Sequence, residues 1–344
     1  IAYAQPGLSD LIPTYPLRDD IGDIHGRLFS RDGIAALSPD ELTSDLIFAH
    51  ACVDSNGRHL TLNHWGCYVA ILRKPSSGQW MVLRDCSGMI PCYYAQFRGV
   101  TVIFSDVRTL ECLPLPLEVN WKYVSAFLSW PHLQISETGI LGVTEVLAGE
   151  SLAIAPGVVR TQSQWDPIDL AANPSDMDPI TAAAELRATT QACISAWASP
   201  FGRVAHCLSG GLDSSIVLAC LQRAPHRPAV TCVNRFADGA AEDERSFARL
   251  SARRVGLTLV EVPWDETSKA FDEDCFATEL AVKPSTPYLS QILQAPIWRD
   301  LCITHGCQAI WTGQGGDHLF GAFRTDLAPI DCLFSSTSVR RFPA

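Results

Sequence analysis

The sequence predicts two domains, an α+β sandwich of short antiparallel strands followed by an α/β domain with a doubly wound parallel sheet. The chain has 344 residues, more than one hydrophobic core usually organises. Its first half contains short strand-like runs joined by turn residues, and its second half alternates strands with helices. A short acidic, proline-containing stretch separates the halves.

The first half is rich in β-branched and aromatic runs. Residues 66–83 predict two strands around a Pro-Ser-Ser-Gly turn. Further strands are predicted at Tyr93–Phe97, Val100–Ser105, Glu150–Ala155 and Gly157–Arg160, and a helix at Trp121–Trp130. Residues 166–179 hold three prolines among acidic and small residues, which is typical of a linker. We therefore expect domains at residues 1–165 and 180–344.

The second half predicts βαβ units, because each apolar strand is followed by a helix of crossover length. This alternation favours a parallel sheet. Helices are predicted at Thr181–Ala198, Ser214–Arg223, Glu242–Val255 and Leu289–His305, and strands at Arg203–Leu208, Ala229–Val233, Leu257–Val262 and Ala309–Thr312.

Composition excludes several classes of protein. The net charge of −11 and pI near 5.2 oppose binding to a phosphate backbone, so nucleic acid is not an expected partner. No run of 18 apolar residues predicts a membrane span. The 13 cysteines are scattered without a CxxC pair, which indicates reduced thiols and a cytoplasmic protein.

The sharpest motif is Ser-Gly-Gly-Leu-Asp-Ser-Ser at residues 209–215, between an apolar strand and a helix. Glycines leave backbone N–H groups accessible, serines add hydroxyl donors, and a helix N-terminus carries partial positive charge, so the motif suits a phosphate. Asp213 suits this setting when Mg²⁺ bridges it to the phosphate. The alternative is an ordinary strand–turn–helix junction. The predicted ligand-binding residues are Leu208, Ser209, Gly210, Gly211, Asp213, Ser214 and Ser215.

A second glycine-rich stretch, TGQGGDHLFG at residues 312–321, follows another predicted strand. Because the carboxyl ends of parallel strands face one crevice, we expect the two stretches to converge on one ligand. Asp317 is then the second Mg²⁺ carboxylate, and Gly313, Gln314 and Gly315 contact the ligand. Taken alone, such a stretch is more often a simple turn.

Residues 209–215 are similar to the SGGxDS pyrophosphate loop of the N-type ATP pyrophosphatases. With the second stretch, the chain resembles the asparagine synthetase family, which includes β-lactam synthetases and lasso-peptide cyclases. The resemblance implies that ATP and Mg²⁺ bind the second domain and that Asp213, Asp317 and Ser209 act in catalysis.

Three other positions have alternative interpretations. The main chain at Val233 either recognises adenine or is a buried strand end. Asp243 either belongs to the site or interacts with the N-terminal dipole of the next helix. His318 either contacts phosphate or caps its loop.

The first half resembles the family's glutaminase-type domain, of the Ntn-hydrolase type, through RDxxGxxPxY at residues 84–93. Such glutaminases use an N-terminal Cys as nucleophile and an NGEIYN-like strand to hold glutamine. Here position 1 is Ile, and the comparable stretch is IHGRLF at residues 24–29. Because Ile cannot replace a thiolate, we expect a degenerate domain that serves as a scaffold.

The strings DERSFA (residues 243–248) and GQGGDHLFG (residues 313–321) look most like lasso-peptide cyclases. That resemblance implies adenylation of an Asp or Glu side chain in a precursor peptide, pyrophosphate release, and attack by the peptide's N-terminal amine. A leader peptidase and a leader-binding protein are then partners. The alternatives are an asparagine synthase using glutamine or ammonia, a β-lactam-synthetase-like enzyme acting on a small carboxylate, and a non-catalytic nucleotide-binding scaffold.

In this family a helical segment carrying a catalytic lysine follows the second glycine-rich stretch. Here the last lysine is Lys283, and Arg340 and Arg341 lie in a tail without helical apolar spacing. We therefore expect a chain that is incomplete at its C-terminus, binds Mg-ATP weakly and cyclises poorly.

Overall fold

The computed structural model describes residues 12–31, 37–38, 42, 45–112, 117–130, 134–172, 176–236, 243–263, 283 and 286–319. Contacts divide the chain into two compact units. Unit 1 contains residues Ile1–Pro200 and Thr267–Arg299, and unit 2 contains Phe201–Glu266 and Asp300–Ala344. The boundaries expected from the sequence, at residues 165 and 180, stay a prediction.

Unit 1 contains two antiparallel sheets. The first has six strands in the order β1-β2-β3-β4-β8-β9, and the second has three in the order β6-β5-β7. The strands are β1 Thr14–Leu17, β2 Gly22–Ser30, β3 His64–Arg73, β4 Trp80–Arg84, β5 Tyr93–Phe97, β6 Val100–Phe104, β7 Val143–Glu145, β8 Glu150–Ala155 and β9 Val158–Ser163.

The side chains of strand β3 contribute to both faces of the larger sheet, because successive side chains along a strand point to opposite faces. Tyr68, Ala70 and Leu72 belong to one hydrophobic core, whereas Val69 and Ile71 face another. This sheet therefore separates two cores within unit 1.

The helices of unit 1 begin at side-chain caps in several places. Asp45 accepts a hydrogen bond from Phe48 N at 2.9 Å and starts α1, and Asn120 accepts one from Tyr123 N and starts α3. Helix α4 lies inside the stretch predicted to be a linker. The helices are α1 Leu46–Asp54, α2 Arg58–Asn63, α3 Trp121–Ser129, α4 Pro167–Ala171 and α5 Pro179–Ala198, with a 3₁₀-helix at Val107–Cys112.

Unit 2 contains a four-stranded parallel sheet in the order β12-β11-β10-β13. Its strands are β10 Arg203–Cys207, β11 Ala229–Phe236, β12 Leu259–Pro263 and β13 Ala309–Trp311, and its helices are α6 Leu212–Arg223, α7 Arg245–Arg254 and α9 Gly316–Leu319. Helix α8, Thr286–His305, belongs to unit 1 up to Arg299 and to unit 2 from Asp300. The expectation of a mixed α/β fold, with antiparallel strands first and a parallel sheet second, is confirmed. Among the described residues, no helix is both long and apolar enough to cross a bilayer.

Candidate functional site

The sheet of unit 2 has a topological switch point beside its central strand. From β10 the chain continues to β11 and β12 on one side, and β13 then pairs with β10 on the other side. Segments leaving the carboxyl ends of β10 and β13 therefore border the same crevice, the usual ligand position in such sheets. We call residues 208–211 the first loop and residues 312–315 the second loop.

The first loop needs glycine for space and for conformation. Gly210 has φ +89°, and a Cβ at this position would lie 2.4 Å from Ala248 N, in the first turn of α7. Gly211 is the N-cap of α6 and carries no side-chain cap. The N-cap residue of α6 therefore satisfies none of the helix N–H groups with a side chain, and an anion could take that role.

Serine hydroxyls hold the first loop in shape. Gly211 N donates to Ser209 Oγ at 3.1 Å, Gly210 N donates to Ser214 Oγ at 3.3 Å, and the two hydroxyl oxygens are 3.0 Å apart. A phosphate would compete with these hydroxyls for the two amides. Ser215 is oriented differently, because its Oγ contacts Ser251 Oγ of α7 at 3.1 Å.

The second loop contacts the beginning of α6. A Cβ on Gly313 would lie 2.5 Å from Ser214 N, and one on Gly316 would lie 2.3 Å from Asp213 Oδ2. Gly315 has φ +92°, and Gln314 is exposed with its N–H donating to Thr312 Oγ1 at 3.3 Å. The structure thus places the second loop and Gly316 against Asp213 and Ser214, directly after the first loop.

The two carboxylates of the site have no protein donor among the described residues. Asp213 is half-buried and Asp317 is exposed, and no described hydrogen bond or ion pair involves either side chain. No described group of three or more His, Cys, Asp or Glu side chains is arranged to hold a metal. Two carboxylates fit Mg²⁺ when phosphates and water supply the remaining ligands.

The other predicted binding residues lie in the sheet beside the loops. Leu208 N donates to Val233 O at 2.8 Å, and Asn234 Nδ2 donates to Leu208 O at 2.8 Å. Leu208 and Val233 are fully buried and Asn234 is 5% exposed. These contacts fix the end of β10, and the assignment of Val233 to adenine stays a prediction. The side chain of His318 lies outside the described residues.

Sequence reasoning missed His206, which lies beneath the first loop. Its side chain is fully buried in β10, and its Nε2 is 2.8 Å from Ser214 O. Burial lowers the pKa of His206, while the backbone of Ser214 and the nearby backbone of Trp311 act in the opposite direction. A histidine inside an otherwise apolar predicted strand was the available signal.

The start of α7 is fixed by an arginine. Arg245 Nη2 donates to Asp243 Oδ2 at 2.7 Å, and its guanidinium lies 3.7 Å from the ring centroid of Phe236, at the end of β11. The hydrogen bonds from Arg245 lower the pKa of Asp243 to about 2. Asp243 therefore has a specific partner in addition to the helix dipole.

The turn after β4 in unit 1 contains the RDxxG residues, and its charged side chains form hydrogen bonds to other groups of the protein. Arg84 donates to Glu145 Oε1 and Val146 O at 2.6 Å, and to Ile90 O at 2.8 Å. Lys283 also contacts Glu145. The Asp85 carboxylate accepts from Tyr68 N at 3.1 Å and from Ser87 N at 2.7 Å. This turn is consequently a buried structural junction.

Unit 2 is thus an α/β unit in which two glycine-rich loops and two carboxylates lie at a switch point of a parallel sheet. Residues 185–332 match the family model described as asparagine synthase. This match supports an ATP-using amide ligase.

A solved structure of glutamine-dependent NAD+ synthetase from Acinetobacter baumannii, in complex with adenosine diphosphate, is also similar at 12% sequence identity. The alignment covers 82% of this chain and 66% of that chain, which is just under two thirds of its length. Its TM-score of 0.31 is too low to carry an argument. Comparison with curated proteins gives no match.

Proposed function

We propose that this protein is an ATP-dependent ligase that transfers AMP to a carboxylate, releases pyrophosphate and lets an amine attack the activated carbonyl. The observation that carries the proposal is the packing of Gly313 and Gly316 against Asp213 and Ser214 at the start of α6, directly after the first loop, on a switch point of a parallel sheet. The asparagine synthase match agrees with this chemistry.

Each part of the site has a role in the first step. Amides at Gly210, Gly211 and the start of α6 would donate hydrogen bonds to the phosphate oxygens, and Asp213 and Asp317 would hold Mg²⁺. When bound, Mg²⁺ neutralises charge that develops on the departing pyrophosphate. Before phosphate binds, Ser209 orients the first loop by accepting a hydrogen bond from Gly211 N. The chain therefore contributes positioning and charge stabilisation more than covalent chemistry.

The favoured substrate is a precursor peptide, in which an Asp or Glu side chain is activated and the N-terminal amine closes an isopeptide ring. The resemblance of residues 243–248 and 313–321 to lasso-peptide cyclases supports this choice. A leader peptidase and a leader-binding protein would act with it. Because the cysteines are scattered without a CxxC pair, we place the protein in a reducing cytoplasm.

Unit 1 is proposed to be a degenerate glutaminase-like scaffold of the Ntn-hydrolase type. The RDxxGxxPxY segment and the antiparallel sheets support this. Residue 1 lies outside the described residues, as do residues 320–344, so the expectations about a missing nucleophile and a missing lysine stay predictions.

A second candidate is an asparagine synthase, which the description of the matching family favours. Pyrophosphate release is measured with Mg-ATP and either peptides carrying an acidic side chain and a free N-terminal amine, or aspartate with ammonia or glutamine. Peptide-dependent release with loss of one water from the peptide supports the macrocyclase. Aspartate-dependent release supports the synthase. Nucleotide binding without release under any condition contradicts both and indicates a scaffold.

A further inference from the structure

His206 is a polar residue in a strand whose environment favours apolar side chains. Strand β10 has neighbours on both sides, and Val204, Ala205 and His206 are all fully buried. Central parallel strands are usually aliphatic, and burying an imidazole costs free energy unless its nitrogens are hydrogen-bonded. A leucine of similar size would avoid this cost, so the imidazole must supply something that leucine cannot.

The imidazole supplies one hydrogen bond to the backbone of α6. Its Nε2 is 2.8 Å from Ser214 O, and a carbonyl oxygen can only accept, so Nε2 must carry the proton. Nδ1 has no hydrogen-bond partner among the described residues. The ring therefore acts as a single donor directed at the first turn of α6.

Ser214 is the residue at which both loops meet. Its hydroxyl accepts from Gly210 N and contacts Ser209 Oγ, which together shape the first loop. Its backbone N–H faces Gly313 of the second loop so closely that a Cβ there would lie 2.5 Å away. A displacement of Ser214 by a few tenths of an ångström would thus alter both sides of the crevice.

We propose that His206 is a positioning residue that holds Ser214, and through it both loops, in the shape that binds the phosphates of the nucleotide. This inference rests on the proposed nucleotide site. Under this proposal His206 contributes to the affinity for the phosphate groups and does not contribute to recognition of the base.

The test compares wild type with His206→Leu and His206→Gln, using calorimetric titration with Mg-ATP, Mg-pyrophosphate and adenosine, together with melting temperatures. We expect His206→Leu to melt near the wild-type temperature, because an apolar residue suits the strand, and to bind Mg-ATP and Mg-pyrophosphate about tenfold more weakly. Adenosine binding should not change. Gln can place an amide donor near Ser214 O and should restore most of the affinity.

His64→Leu in unit 1 is the matched control, since His64 also has a buried Nδ1 without a partner among the described residues and a pKa lowered by burial. It should leave all three affinities unchanged. Should His206→Leu fail to fold, His206→Met, which also lacks a donor, takes its place. Independently, ¹⁵N spectra of the wild-type imidazole should identify the Nε2–H form.

If wild type binds Mg-pyrophosphate and His206→Leu binds it equally tightly, the proposed role of His206 is overturned. The proposed function is not affected by that result. Parallel weakening of ATP and adenosine would also overturn the role of His206, because that pattern indicates general damage. An Nδ1–H tautomer would remove the donor to Ser214 O and would overturn the role of His206 in the same way. Absence of Mg-ATP and Mg-pyrophosphate binding by wild type would instead overturn the proposed function.

Discussion

Two acidic, glycine-containing turns of this chain differ in what their polar groups contact. In unit 1, Arg84 and Asp85 are buried and bonded to the surrounding protein. In unit 2, Asp213 and Asp317 have no such donor among the described residues, and the N-terminus of α6 is uncapped by a side chain. A turn whose charges are satisfied internally stabilises the fold, whereas one that leaves them accessible is suited to a ligand.

The largest expected effect is loss of stability in the unit 1 turn. Arg84→Met leaves Glu145 buried at 8% exposure with only Lys283 as its cationic partner among the described residues, and should lower the free energy of unfolding by about 3–5 kcal/mol. Urea denaturation measures this. Arg108→Met removes an exposed ion pair with Asp106 and is the control, expected to cost at most about 1 kcal/mol. Equal costs for the two variants would contradict the contrast.

The next effect concerns the accessible carboxylate at the start of α6. Asp213→Asn should reduce Mg²⁺-dependent pyrophosphate release by about a hundred- to a thousandfold, because the charge proposed to bind the metal is lost from the site. Its melting temperature should stay close to wild type. Asp85→Asn should show the reverse pattern, with a lower melting temperature and normal release from the folded fraction. Unchanged turnover in Asp213→Asn would remove this residue from the site.

Glycine substitutions sharpen the same comparison. Gly210 has φ +89°, and the Cβ of Gly210→Ala would lie 2.4 Å from a backbone nitrogen of α7. The first loop must therefore move, and the affinity for Mg-ATP should fall about tenfold. Gly88 has φ +60°, and the Cβ of Gly88→Ala would lie 2.8 Å from Ala148 Cβ. This variant should lose about 1–3 kcal/mol of unfolding free energy and keep its affinity for Mg-ATP. Calorimetry and denaturation distinguish the outcomes, and identical behaviour of the two would argue against distinct roles.

The smallest effects are expected at the cysteines of the unit 1 turn. Burial, with a smaller contribution from Asp85, raises the pKa of Cys86 to about 11, and burial raises that of Cys92 to about 12. At pH 7 both thiols are therefore protonated and should alkylate slowly, faster as the pH approaches 11. Alanine at either position should leave ATP chemistry unchanged in the folded protein. Rapid alkylation of Cys86 at pH 7 would indicate an activated thiol.

Much of the fold was predictable because its patterns are local. Strands β5 and β8 have the predicted bounds, and the parallel order of unit 2 followed from helices of crossover length. Strands β1, β2 and β7 and helices α1 and α2 were not predicted. In β2, Gly26 and the polar residues around it interrupt the apolar alternation, and the strand is stabilised by pairing with β3 along its whole length.

The sequence by itself determined that residues 209–215 and 312–317 are the candidates for the chemistry, because glycine, serine and aspartate at a strand–helix junction form an anion site through backbone geometry that is local. Only the tertiary structure decided that Gly316 lies against Asp213, that Arg84 is enclosed, and that His206 supports Ser214. These are contacts between residues distant in the chain or on opposite sides of a turn. No periodicity of the sequence encodes these contacts. They depend on which strands become neighbours and on which partners remain available to each polar atom once it is buried.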